Sequence, residues 1–165
     1  MIQIKNAAEL ALMRRACEIS AAALKAGGEA IEPGISTAEI DKIIYDFIVR
    51  HGARPNFLHL YGFPATACIS VNDTVIHGIP NHNQKIRPGD IVSIDTGCKI
   101  NGFNGDNACT FACGKVDLEA RRLMEVTRES LHRGIAAAQA GNRIGDIGHA
   151  VQSYVEENGF SVVRS

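Results

Sequence analysis

The sequence contains no tryptophan and only 5% aromatic residues, and neither sign of charge is in excess. Its 165 residues include 17 Lys and Arg against 18 Asp and Glu, which gives a formal net charge of −1. A nucleic-acid-binding domain needs clustered Lys and Arg to displace counterions from phosphates. The composition therefore argues against a dedicated DNA- or RNA-binding domain and predicts no specific nucleic-acid partner.

Long hydrophobic runs are also missing. No apolar stretch approaches the roughly 18 residues of a membrane span. The first five residues lack the charged segment followed by an apolar segment that marks a secretory signal. We therefore expect a cytoplasmic protein with no membrane partner.

The cysteines do not form any recognisable pair. There are five of them, an odd number, and no two are spaced as CxxC. This pattern excludes a disulfide framework or a zinc ribbon and predicts reduced thiols. Cys68 lies in an apolar, strand-like run, so we expect it to be a small buried side chain rather than a nucleophile.

Four helices and four strands are predicted, which makes the fold class α+β. The helices cover residues 6–31, 36–52, 117–139 and 145–158, and the first two begin with the capping pairs Asn6 with Glu9 and Ser36 with Glu39. Between the two helix pairs the spacing of apolar residues changes to that of strands. The predicted strands are Thr66–Asn72, Thr74–Gly78, Ile91–Gly97 and Phe103–Cys113.

The second helix pair repeats the pattern of the first. Leu24 aligns with Ile135 in the first helices, and Gly52 aligns with Gly159 at the ends of the second helices. The two alignments have slightly different offsets, and the difference is placed in the loop, where a change of length costs little. Chance similarity between amphipathic helices is the alternative. If the repeat is real, the chain is one incomplete domain, with a first repeat at about 6–113 and a second that begins near 117 and is cut at 165.

The most informative segment is a predicted hairpin around Asn101-Gly102. This dipeptide suits a two-residue type I′ turn, in which the numbers of facing residues sum to 203. Asp95 then faces Ala108, and Asp106 faces Gly97. The two carboxylates lie on one face with Cβ atoms about 7 Å apart. The opposite face is apolar and consists of Val92, Ile94, Phe103, Cys109 and Phe111.

Two facing carboxylates repel each other unless something neutralises them. From Ile91 to Gly114 the only positive side chain is Lys99, at the turn. A shared proton would remove the repulsion, and so would hard divalent cations bound through oxygen. Two solvated aspartates on an exposed sheet face are the simpler alternative.

Two further segments are candidates for a site. His77 follows an apolar segment and precedes Gly78 and Pro80, so its imidazole lies where the chain leaves a strand; a satisfied core or surface histidine is the alternative. Residues 55–64 gather much of the aromatic content beside Gly and Pro. They form either a satellite core cluster or the wall of an apolar pocket.

In order and spacing, these segments resemble a type I methionine aminopeptidase. The resemblance covers the whole chain, and each motif is weak alone. The segments that carry it are Pro33–Thr37, Gly62–Pro64, Cys68–Asn72, His77–Pro80, Gly89–Asp95, Gly102–Asp106 and Gly159–Arg164.

The resemblance implies a pita-bread fold, of which this chain holds the first αβ half and the helix pair of the second half. It implies two divalent metal ions, drawn from Co, Mn, Fe, Zn and Ni, with Asp95 on one metal and Asp106 bridging both. The family's remaining ligands, one His and two Glu, would follow Ser165. We therefore expect this 165-residue chain to be inactive by itself.

The resemblance also assigns a substrate site. His77 matches the family's catalytic and substrate-contacting histidine, and the methionine pocket includes Phe57, Phe63 and Cys68. Leu60 stands where several members have Tyr, and Tyr61 lies beside it, so which of the two closes the pocket is left open.

The implied activity is removal of the initiator methionine by two-metal-assisted amide hydrolysis. The implied partner is the N-terminus of nascent peptides, in proximity to the ribosome. A prolidase or aminopeptidase P would share the fold and the paired aspartates. A non-catalytic pita-bread binding protein is the alternative from another functional class.

Overall fold

The computed structural model describes residues 3–163, which divide into two compact units. The first ends at Val116 and the second begins at Asp117. The first contains two helices and four strands, and the second contains two helices, as the predicted α+β class requires. The elements are α1 Ala7–Glu29, α2 Thr37–Arg50, β1 Arg54–Pro55, β2 Ala67–Val71, β3 Ile91–Ile100, β4 Phe103–Ala112, α3 Leu118–Ala137 and α4 Ile144–Glu157.

The helices begin where their caps predict. Asn6 and Ser36 each form a capping box with the glutamate three residues on, so α1 and α2 start at the next residue. Asp117 caps α3 by accepting a hydrogen bond of 2.7 Å from the Ala120 N–H. All four predicted helices are confirmed, with ends that differ by a few residues from the prediction.

The sheet is antiparallel and β3 is its central strand. β4 pairs with β3 along the whole length of both strands, from Ile91 opposite Ala112 to Ile100 opposite Phe103. β2 pairs with residues 92–96 of β3, and the short β1 pairs with residues 98–99. Every strand of the unit therefore pairs directly with β3, which carries Asp95.

The predicted strand at Thr74–Gly78 is wrong. Asn72 adopts a left-handed conformation with φ of 51°, which turns the chain out of β2. Val75 and Ile76 are each 67% exposed, so these β-branched residues pack against no sheet. The Thr74 N–H donates to the Val71 carbonyl at 3.1 Å within the turn, and the segment next returns to β2 at Gly78, whose carbonyl accepts a hydrogen bond of 2.8 Å from the Ile69 N–H.

The core of the first unit lies between the sheet and its two helices. α1 approaches β4 very closely: a Cβ at Gly105 would lie 2.3 Å from the Ala16 carbonyl oxygen, and one at Gly28 would lie 2.2 Å from the Phe111 ring. Cys109 departs from the prediction, since it is exposed although it shares this face of β4. The buried side chains of the core include Ile19, Leu24, Ile40, Ile44, Ile48, Ile69, Ile86, Val92, Ile94 and Cys98.

The second unit is a helix pair in which α3 approaches α4 closely at Gly134. A Cβ at Gly134 would lie 2.8 Å from Cγ2 of Val151. In the first unit, a Cβ at Gly27 would lie 2.7 Å from the Ile44 side chain. The offset from Gly27 to Gly134 equals the offset from Ile44 to Val151, so a single alignment relates both helices of each pair. The alignment predicted for the first helices differs from this one by about one helical turn, and the same apolar stripe fits either.

Over residues 3–163, no helix is long and apolar enough to cross a membrane.

Candidate functional site

The hairpin of β3 and β4 has the predicted register. Asp95 faces Ala108 and Asp106 faces Gly97, so facing residues sum to 203 throughout. Asn101 and Gly102 have φ of 52° and 85°, the left-handed pair that a type I′ turn requires. Both carboxylates therefore lie on one face of the hairpin, as diagonal neighbours.

The electrostatics of Asp95 depend on its burial and on Asp106. The pKa of Asp95 is raised, first by burial and then by the negative charge of Asp106, and side-chain hydrogen bonding with Asp106 acts in the same direction. The positive form of His77 opposes this shift. Burial and the charge of Asp106 therefore both disfavour the ionised form of Asp95.

Cys68 borders the pair from β2, directly opposite Asp95. Its pKa is raised to about 11, first by burial and then by the charges of Asp95, Asp106 and Asp41. The thiol therefore stays neutral at physiological pH, and only 7% of the residue is exposed. The predicted burial of Cys68 is confirmed.

Sequence reasoning missed Asp41, which anchors β2 from α2. One of its carboxylate oxygens accepts hydrogen bonds from the Thr66 and Ala67 N–H groups, at 2.9 and 2.8 Å. Burial raises the pKa of Asp41 although these bonds act to lower it. Nothing in the sequence distinguishes this residue from the other polar residues of α2, since its partners are distant in the chain.

His77 is an exposed residue near the carboxylates. Its charge influences the pKa of Asp95, which places the two within electrostatic reach. Its φ of 57° lies in the left-handed region, where a non-glycine residue is strained. Asp106, Cys68 and His77 therefore all lie within electrostatic range of Asp95.

The aromatic loop meets this group at one point. A Cβ at Gly97 would lie 3.3 Å from the Phe57 ring, and Gly97 is the residue opposite Asp106. The Asn56 N–H donates to the Gly97 carbonyl at 2.9 Å, which fixes the loop to β3. Phe57 is therefore held beside the carboxylate face.

The remaining pocket candidates lie further along the same loop. The His59 N–H donates to the Phe63 carbonyl at 2.8 Å, which closes the loop on itself. Leu60 is 50% exposed and Tyr61 is fully exposed, with a left-handed φ of 49°. Neither side chain covers the carboxylates in this conformation.

The chemistry of the donors fits a hard divalent cation, since the pair offers carboxylate oxygens and carries excess negative charge. Within residues 3–163, however, no group of three or more His, Cys, Asp or Glu side chains comes together as a metal site. Among these residues, Asp95 and Asp106 are the two carboxylates that share one face of the hairpin.

Residues 11–165 of the sequence match the model of metallopeptidase family M24. It is 50% identical to a methionine aminopeptidase of Clostridium perfringens over 164 residues, which are 99% of this chain and 66% of that protein. The chain thus spans slightly less than two thirds of the length of this curated relative.

Solved structures agree with this match. The methionine aminopeptidase of Rickettsia prowazekii superposes with a TM-score of 0.97 at 36% identity, over 100% of this chain and 66% of that one. Aminopeptidase P of Escherichia coli gives a TM-score of 0.82 at 27% identity, over 93% of this chain and 34% of that one. The predicted α+β pita-bread fold is confirmed.

Proposed function

Because the chain belongs to metallopeptidase family M24, we propose that the whole protein is a methionine aminopeptidase, a metal-dependent hydrolase that removes the initiator methionine from nascent polypeptides. The family implies divalent metal ions. We further propose that there are two of them, and that Asp95 binds one while Asp106 bridges both. Their identity among Co, Mn, Fe, Zn and Ni is a matter for experiment.

The observation that carries this proposal is the pair of interacting carboxylates on one face of the hairpin. Burial and the charge of Asp106 raise the pKa of Asp95, so a second negative charge is disfavoured there. A divalent cation would relieve this repulsion. When bound, it supplies Lewis-acid activation of the scissile amide and of water.

The neighbouring residues would then bind the substrate. His77, exposed and within electrostatic range of Asp95, would donate a hydrogen bond to the reacting amide and so stabilise charge that develops on it. Phe57 and Cys68 offer apolar surface beside the carboxylates for an unbranched thioether side chain. Phe63, with Leu60 or Tyr61, would close this pocket after a movement of their loop.

The proposed partner is the free N-terminus of a nascent peptide, which places the protein near the ribosome in the cytoplasm. We also propose that the chain holds one pita-bread repeat and the helix pair of a second. The lower structural similarity to aminopeptidase P, a TM-score of 0.82 against 0.97, does not favour that alternative activity.

Metal binding can be tested on the chain itself. We expect Asp106→Asn to weaken Mn²⁺ binding by about tenfold or more, because an amide cannot replace the charge of a carboxylate that bridges cations. Electron paramagnetic resonance of free Mn²⁺, titrated into the millimolar range, measures this. Asp73→Asn, at an exposed turn, is the matched control. Equal binding by the two variants would refute the assignment of the metal site.

Activity requires more ligands than these two carboxylates, so we expect no methionine release by the 165-residue chain alone. A chimera that continues this chain with the C-terminal third of the Clostridium perfringens relative should hydrolyse a Met-Ala peptide in added Mn²⁺. Asp106→Asn should abolish that turnover and Cys68→Ser should only reduce it. An inactive chimera that folds and binds Mn²⁺ would contradict the proposed activity.

A further inference from the structure

His77 is an exposed residue of the irregular segment between β2 and β3. The segment that carries it leaves β2 at Asn72, and Val75 and Ile76 are largely exposed. Residues 72–90, which all lie in the described part of the chain, form no helix or strand. The segment returns to the sheet immediately after His77, and that point of contact constrains the His77 backbone.

That point is Gly78, which is joined to β2 by two hydrogen bonds. The Ile69 N–H donates to the Gly78 carbonyl at 2.8 Å, and the Gly78 N–H donates to Oγ of Ser70 at 3.1 Å. Only glycine fits here, because a Cβ would lie 2.2 Å from the Ile69 carbonyl oxygen. The peptide group between His77 and Gly78 is thus fixed by the Ser70 hydroxyl.

This peptide group follows His77, whose backbone is strained. A left-handed φ at a β-carbon-bearing residue such as His77 persists only where its surroundings impose it. Ser70 is 4% exposed and lies on the same face of the sheet as Cys68 and Asp95. Because the Ser70 side chain is buried, its hydroxyl oxygen is held in place more firmly than that of an exposed serine.

We propose that Ser70 is a positioning residue for His77: by accepting the Gly78 N–H it holds the strained backbone that presents the imidazole to the Asp95 side of the sheet. The inference rests on the proposed function for its catalytic meaning. The positional claim concerns this chain alone and can be tested without metal or substrate.

The test compares two serines that face each other across β2 and β3. Ser70→Ala removes the acceptor of the Gly78 N–H. Ser93→Ala is the matched control, since Ser93 is the cross-strand partner of Ser70 and its hydroxyl contacts Thr110 at 2.8 Å instead. The readout is the ¹H–¹³C imidazole spectrum of the metal-free chain, with the His77 peak assigned by its loss in His77→Gln.

We expect Ser70→Ala to move the His77 imidazole peak by more than its line width and to leave the peaks of the other histidines unchanged. Ser93→Ala should leave the His77 peak in place. An unchanged His77 peak in Ser70→Ala, or equal shifts in the two variants, would overturn the proposal. If Ser70→Ala does not fold, Ser70→Cys keeps nearly the same volume but replaces the hydroxyl with a weak sulfur acceptor, and it should move the His77 peak in the same way.

Mn²⁺ added to the unsubstituted chain separates this proposal from the proposed function. Broadening of the His77 peak that disappears in Asp106→Asn supports the metal assignment. Its absence would count against that assignment and leave the result for Ser70 standing, because the latter is read in metal-free samples.

Discussion

The two helix pairs have the same central contact but very different surroundings. Gly27 packs against Ile44 in the first unit, and Gly134 packs against Val151 at the equivalent positions of the second. At this contact each pair needs a residue without a side chain, because the partner helix occupies the space of a Cβ. The crossing of two helices is therefore encoded by the same few positions in both units.

The pairs differ where the first one meets a sheet. In the first unit, Ala16 and Gly28 of α1 lie against β4. When Gly27 is aligned with Gly134, the equivalent residues of α3 are Leu123 and Ile135. Ile135 is 60% exposed, and no strand falls within residues 117–163. The helix-to-helix contact therefore buries little by itself, and the sheet provides most of the burial in the first unit.

The largest change in stability is expected from truncating one of two equivalent leucines. Leu24 is 7% exposed, whereas Leu131, at the matching position of α3, is 57% exposed. Leu24→Ala should lower the free energy of unfolding by about 2–4 kcal/mol because it leaves a cavity. Leu131→Ala should change it by less than about 0.5 kcal/mol. Urea unfolding followed by circular dichroism measures both, and equal costs would mean that α3 buries this face in solution.

The central glycines should respond more moderately. Gly27→Ala forces a methyl against Ile44, which is fully buried, so we expect a loss of about 1 kcal/mol after the gain in helix propensity. Gly134→Ala meets the half-buried Val151, which can move, so its net effect should be close to zero. Gly148→Ala, with open space around its Cβ, is the control and should be stabilising. Thermal unfolding of the three variants tests this order.

The helix caps offer a smaller test. Ser36 caps α2 with its side chain, whereas Arg143, at the equivalent position of α4, has no side-chain cap. Arg143→Ser should stabilise α4 by about 1 kcal/mol by providing a side-chain acceptor for an N–H group of the first turn. Hydrogen exchange of the amides of α4 would then slow. No change in exchange would show that the first turn is already satisfied.

The smallest expected effect is a dependence of stability on pH. The pKa of Glu39 is lowered to about 2, first by the Ser36 hydroxyl and backbone and then by Lys85. Because the folded pKa lies below the ordinary value of 4.5, the stabilisation is present above that value and is lost as the pH falls towards 2. The advantage of the unsubstituted chain over Glu39→Gln should therefore shrink across this range. A constant difference in melting temperature would contradict it.

The sequence was most predictive where the controlling interactions are local. The Asn101-Gly102 turn fixes the register of Asp95 and Asp106, and the capping boxes fix the starts of α1 and α2, because each depends on residues a few positions apart. The metal and substrate roles of these residues stay predictions.

The failures come from long-range contacts. Val75 and Ile76 have strand propensity but no strand to pair with, and Gly78 reaches β2 through space that a side chain would fill. The short β1 depends on pairing with residues 98–99 and has no periodicity of its own. Asp41 was missed for the same reason, since its two partners are 25 and 26 residues away.

The two-residue turn between β3 and β4 also has a kinetic consequence. It makes the meeting of Asp95 and Asp106 a local event, and hairpins close in about 1–10 μs. The contact of α1 with β4 joins residues far apart in the chain, as Ala16 and Gly105 are, and such contacts form more slowly. Repulsion between the carboxylates therefore opposes an early step of folding, before the core forms. Acid or divalent salt should accelerate that step, because each neutralises the pair while the hairpin is closing.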